Sequence, residues 1–176
     1  MSLGKQMIEQ LRLLAEGKTV LQLMPAADAE YRRLVTVADG QEARLEFFDH
    51  DRYSVALRAL EVGAAANVAG DPRAYLSAAA AEVARRLGYL EEPLAVWELD
   101  GREGMAQLRS SPPLREGDEV SYWEVTLTAG AQPGARAMRY RWAPGMTERE
   151  VVAYPATFAL VARMADSLAA ALLAGE

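Results

Sequence analysis

The side chains best suited to chemistry are Arg136, Arg139 and Arg141, at alternating and near-alternating spacing, and Tyr122. A guanidinium beside an aromatic ring can grip a carboxylate, a phosphate or a nucleobase. Its planar fork donates hydrogen bonds in pairs and its face stacks on the ring. Tyr122, Arg139 and Arg141 are therefore the candidate binding residues. The plainer reading of the same side chains is the solvated face of a hairpin, partly neutralised by Glu124, and the pattern favours it.

No catalytic residue stands out. Cysteine is absent, which removes thiolate nucleophiles, disulfides and cysteine metal sites. Lys5 and Lys18 are the only lysines, so Schiff-base chemistry would have to use one of them. His50 is the single histidine, which rules out a two-histidine metal motif within one chain. Asp49-His50-Asp51 reads instead as a turn, where aspartates satisfy nearby backbone groups. No GxSxG gives His50 a serine to activate. Glu16-Gly17-Lys18-Thr19 ends like a phosphate loop, but Arg12 occupies the place of the required first glycine. No metal and no cofactor are expected.

Composition sets the frame. The 176 residues suit one domain with a real core. The net charge of −6 argues against binding nucleic acid or an anionic membrane. The N-terminal stretch lacks the apolar run of a signal peptide, and Arg163, Asp166 and Ser167 interrupt the C-terminal helix, so it does not read as membrane-spanning. A cytoplasmic location is expected.

The elements that must position these residues are legible in part. Asp71 to Leu90 is the clearest helix, with Asp71 as cap, Pro72 at the first helical position and Gly88 expected in the left-handed position past its end. Leu76, Ala80, Val83 and Leu87 draw its apolar stripe, and Ala78 to Ala81 would let it lie close to a sheet. Leu3 to Glu16 reads as a short helix with Leu3, Met7, Leu11 and Leu14 on one side, ended by Gly17. Thr19 to Met24 could be a short strand.

Asp39-Gly40 predicts a hairpin that pairs Leu34 with Leu45 and Arg33 with Glu46. Arg52 to Val62 is the next strand, with Tyr53, Val55, Leu57 and Ala59 on one face. Asp100-Gly101 predicts a second hairpin with Trp97 opposite Gly104. Ser110 to Glu119 reads as an exposed loop. Val120 to Thr128 and Arg136 to Trp142 form a third hairpin, whose expected register pairs Trp123 with Trp142 and Glu124 with Arg141. Thr147 to Glu150 fits a capping box, with Pro155 kinking the helix that follows. Val35–Glu42 and Val96–Glu103 are weakly alike, as in an internal duplication.

The sum is an α+β domain: an antiparallel meander sheet of about 6–8 strands, with a middle helix and a long C-terminal helix packed on it and a short N-terminal helix besides. The order helix, three strands, helix, several strands, helix resembles the α-β3-α-β2-α layout of secretion-chaperone-like domains, with two more strands in its second half. That resemblance implies a small acidic homodimer that holds another polypeptide. The expected function is thus a non-catalytic dimeric protein-binding module, chaperone- or adaptor-like. The alternative is a small-ligand binder or enzyme with a pocket between sheet and helices near Trp97, Trp123 and Trp142. Leu160, Met164 and Leu173 widen the apolar surface of the C-terminal helix beyond one stripe, and they are the expected dimer interface, with cover by the N-terminal helix as the other possibility.

Overall fold

The computed structural model describes residues 1–26, 29–65 and 70–174. Helices α1 (Leu3–Ala15), α2 (Pro72–Arg86) and α3 (Phe158–Ala174) pack on one side of a single antiparallel sheet. The sheet is built from two meanders, each winding from an edge to the centre. The first is β2 (Tyr31–Ala38), β3 (Gln41–His50) and β4 (Ser54–Ala64), with β1 (Leu23–Met24) at its outer edge. The second runs through β5 (Leu94–Asp100), β6 (Met105–Ser110), β8 (Glu119–Thr128) and β9 (Gly134–Trp142), with β7 (Leu114–Glu116) folded back on β8. The similar segments Val35–Glu42 and Val96–Glu103 thus hold the first hairpin of each meander.

The meanders meet where Leu60–Gly63 of β4 pairs with Gly134–Ala137 of β9. Beyond that the two strands part. The gap is filled by β10 (Glu150–Val151), on β9, and β11 (Tyr154–Thr157), on β4. This overturns the expected capping box and kinked helix. Pro155 lies in a strand, opposite Ala56, and α3 begins after it, with Thr157 Oγ1 accepting from Leu160 N at 3.0 Å.

Local signals predict the N-terminal half well. All four stripe residues of α1 are buried. Asp71 caps α2 by accepting from Arg73 N at 3.2 Å. Leu76, Ala79, Ala80 and Val83 are buried, while Ala78 and Ala81 face solvent. Gly88 does not take the left-handed conformation; α2 ends at Leu87, whose N–H closes on Val83 O. The Asp39-Gly40 hairpin pairs Leu34 with Leu45 and Arg33 with Glu46 as expected. Tyr53 belongs to the turn before β4 and is exposed.

The other two hairpins differ from expectation. The second closes with Asp100 opposite Met105 over a four-residue loop, and Trp97 is an extra, bulged residue between Val96 and Glu98. In the third, Trp123 lies opposite Arg139, Val125 opposite Ala137 and Leu127 opposite Ala135. The cause is the helix above: β9 turns its alanines, rather than Met138 and Tyr140, toward the close approach of α3. The expected loop from Ser110 to Glu119 is mostly the β7–β8 hairpin.

Helix α3 runs down the middle of the helical layer, flanked by α1 and α2. Its flank meets α1 at Gly4, where a Cβ would come within 2.5 Å of Ala162 O. Asp166 fastens that end by accepting from Gly4 N at 2.8 Å and Ser2 Oγ at 3.1 Å. Met164 is therefore enclosed within the chain, Leu160 is half-buried and only Leu173 is exposed. Much of the cover that α3 needs comes from α1 and α2 within the chain, the other possibility the sequence offered.

Candidate binding face

The side of the sheet away from the helices carries charge instead of apolar cover. Strand alternation sends Glu46, Arg136, Glu124 and Arg109 to it, and the bulge between Leu57 and Ala59 adds Arg58. Burying a carboxylate is costly unless cations and donors surround it. Glu46 is buried and meets Arg33 at 3.0 Å, Arg136 at 3.3 Å and Arg58. Glu61 holds Arg136 at 3.0 Å and Arg44. Burial pushes the Glu61 carboxyl up, but Arg44 and Arg136 outweigh it and hold it below the usual carboxylate range.

Glu124 anchors a second cluster. It accepts from Arg109 Nε at 3.0 Å and from both terminal nitrogens of Arg149. Arg149 lies 3.7 Å over the Tyr140 ring and donates to Tyr122 Oη at 3.2 Å. The Glu124 carboxylate raises the Arg149 pKa further above its ordinary value, and burial raises that of Tyr140. Arg109 sits between the Trp97 ring, at 4.8 Å, and the Tyr122 ring, at 5.2 Å. The result is a row of Trp97, Arg109, Tyr122, Arg149 and Tyr140, pinned from beneath by one carboxylate.

Of the expected binding residues, only Tyr122 lies here. Arg139 points to the helix side, is 4% exposed and pairs with Glu92 at 2.8 Å, beside the edge-to-face pair of Trp123 and Tyr154 rings. Ser110 Oγ donates to the same Glu92 oxygen at 3.0 Å and accepts from Trp123 N at 2.8 Å. Arg141 pairs with Glu119 at 2.9 Å and Glu150 at 3.1 Å, so the expected Glu124–Arg141 pair does not form. The residues that accompany Tyr122 are Arg109 and Arg149. The register partnership of Arg109 with Glu124 across β6 and β8 would reveal the first; Arg149 has no sequence signal, since its segment imitates a helix start.

The three tryptophans do not converge. Trp123 is fully enclosed, Trp97 is 66% exposed at the β5 edge and Trp142 is 39% exposed at the end of β9. No cavity joins them among the described residues. Asp51 is engaged in its turn, accepting from Tyr53 N at 2.7 Å and Ser54 N at 2.8 Å. Gly17 ends α1 at φ +72°, and Lys18 reaches back to Glu16 at 2.6 Å.

Comparison with known proteins returns no matching family model, no similar curated protein and no similar solved structure. On the binding face, Glu46, Glu61 and Glu124 already hold guanidinium groups. The arrangement is suited to recognition: rigid aromatic and arginine surfaces held at fixed positions.

Proposed function

We propose that the chain is a non-catalytic protein-binding module, adaptor- or chaperone-like, that works in the cytoplasm as a homodimer and offers the Trp97–Tyr140 row to another polypeptide. One observation carries the reading. The row consists of Trp, Arg and Tyr, the residue types that dominate the energetics of protein interfaces. Its side chains are already immobilised by Glu124 and by stacking, so docking a partner costs little further ordering. Val96, 52% exposed beside Trp97, extends the row onto the unpaired edge of β5. An exposed apolar edge strand is a ready template for another chain.

The dimer follows from the same edge rather than from α3. A two-fold contact along that edge would bring Val96 and the rim of the Trp97 ring against their own copies and leave the rest of that ring and the charged middle of the face open. The test is a photo-cross-linking residue at position 97 in cells that make the protein, with one at the solvent-facing Ala81 as control. The expected products are a band at twice the chain mass and a band to one further protein, both absent from the control. No product specific to position 97 would overturn the reading.

A further inference from the structure

On the opposite side of the molecule, the seam between α1 and α3 forms an open groove. One end, of about 750 Å³, reaches from Arg12 on α1 to Arg52 and Tyr53 in the turn before β4. The other, of about 380 Å³, lies between Lys5 and Arg163. The two share Ile8 and Ala159, so the groove is continuous. Lys5, Ile8 and Arg12 fall three and four residues apart, on one stripe of α1.

The groove gathers cations without nearby carboxylates to match them; Arg32, Arg73, Arg102 and Arg115 also make no salt bridge among the described residues, but Arg73 and Arg102 share their depression with Asp71, Glu98 and Asp100. Arg33, Arg44, Arg58, Arg109, Arg136, Arg139, Arg141 and Arg149 all hold carboxylates. Lys5, Arg12, Arg52 and Arg163 make no salt bridge among the described residues. Arg163 is instead held 3.8 Å over the Tyr89 ring, with its charge at the rim. Of the acidic lining residues, Glu16 is matched by Lys18, and Asp166 is engaged by Gly4 N and Ser2 Oγ. Arg86 is matched by Glu82. Four free cations against Asp166 leave a local charge of +3 in a chain of −6.

We infer that this groove binds an acidic segment of a partner polypeptide, with glutamate or aspartate side chains on the rim cations and small apolar side chains over Ile8 and Ala159. Charge complementarity selects the anion. The open, elongated shape selects a chain over a compact ligand, which needs a pocket that buries most of its surface. The α1 stripe from Lys5 to Glu16 spans roughly 17 Å, the reach of about five extended residues. This surface is independent of the Trp97 row.

The test is fluorescence anisotropy with a labelled ten-residue peptide of alternating glutamate and leucine, titrated with the whole chain. Saturable binding is expected, weakened at least tenfold in Arg12→Glu/Arg52→Glu and unchanged in Trp97→Ala. Arg12→Gln/Arg52→Gln, a milder change, should weaken it in the same direction, with circular dichroism confirming that both variants are folded. Affinity should fall as salt rises. The proposal is overturned by absence of saturable binding, by binding indifferent to the charge reversal, or by equal binding of a lysine–leucine peptide. Citrate competing as well as the peptide would reassign the groove to a small anion. A doubled mass in light scattering that is lost in Arg12→Glu/Arg52→Glu would reassign it to a second copy of this chain. Either result also overturns the inference.

Discussion

Glu92 holds the Arg139 guanidinium at 2.8 Å on the helix-covered side of the sheet, where apolar side chains would be the usual filling. One carboxylate oxygen of Glu92 accepts from both Arg139 and Ser110, and its other oxygen is buried without a hydrogen-bond partner among the described residues. Breaking such a pair strands a charge, whereas replacing both members need not. Arg139→Met should cost about 3–5 kcal/mol, and Arg139→Met with Glu92→Leu should be close to neutral. Urea unfolding of the two variants decides it; equal losses in both would show that the pair is no more than packing.

At Gly4, α1 comes close to α3. A methyl group there would press on the Ala162 carbonyl, which cannot retreat without moving a helix, and on the Asp166 carboxylate, which would have to turn away from Gly4 N. Gly4→Ala should destabilise the fold by about 1–3 kcal/mol despite the better helix propensity of alanine. A melting temperature equal to that of the parent would mean that the helices slide to accommodate it.

Acid should weaken the open face of the sheet. The Glu61 carboxyl is held below its ordinary value by Arg44 and Arg136, against the opposing effect of burial. The unfolded chain therefore takes up this proton first as pH falls. The stability Glu61 contributes is complete above its unfolded pKa of about 4.5 and is lost as pH falls from there through the folded value. Glu61→Gln should flatten that part of the stability-versus-pH curve. An unchanged slope would place the acid sensitivity elsewhere.

Trp97 should report on the proposed interface. It is the most exposed of the three tryptophans, while Trp123 is fully enclosed. Acrylamide should quench a component of the fluorescence that Trp97→Phe removes. The same change should alter stability by no more than about 0.5 kcal/mol, as for other surface sites. Protection of that component at micromolar protein concentration, relieved on dilution, would mark the dimer contact.

Much of the helical layer was legible because its signals are local. Asp71-Pro72 and the stripe from Leu76 to Leu87 specify α2 within one element, and Asp39-Gly40 fixes a register through two residues of turn geometry. The face of β9 was not legible. By hydrophobicity, Met138 and Tyr140 outrank Ala135 and Ala137 for the core, but the close approach of α3 selects the small residues. That preference belongs to a helix reached only later in the chain. The same long-range dependence hid Arg149, which reaches Glu124 and Tyr122 from a segment that resembles a helix start.

The splayed centre of the sheet also bears on the order of folding. β4 and β9 share a short run of pairs, and the space between them is closed by β10 and β11, just before α3 covers the joint. A chain emerging from the ribosome can form its first meander early. That meander must nevertheless wait, with Leu57, Leu60 and Val62 lacking part of their cover, for β11 and α3, about ninety residues further along the chain. Completion of this fold therefore depends on β10, β11 and α3. A ribosome stalled before Tyr154 would hold a nascent chain with an open seam and a strong tendency to aggregate.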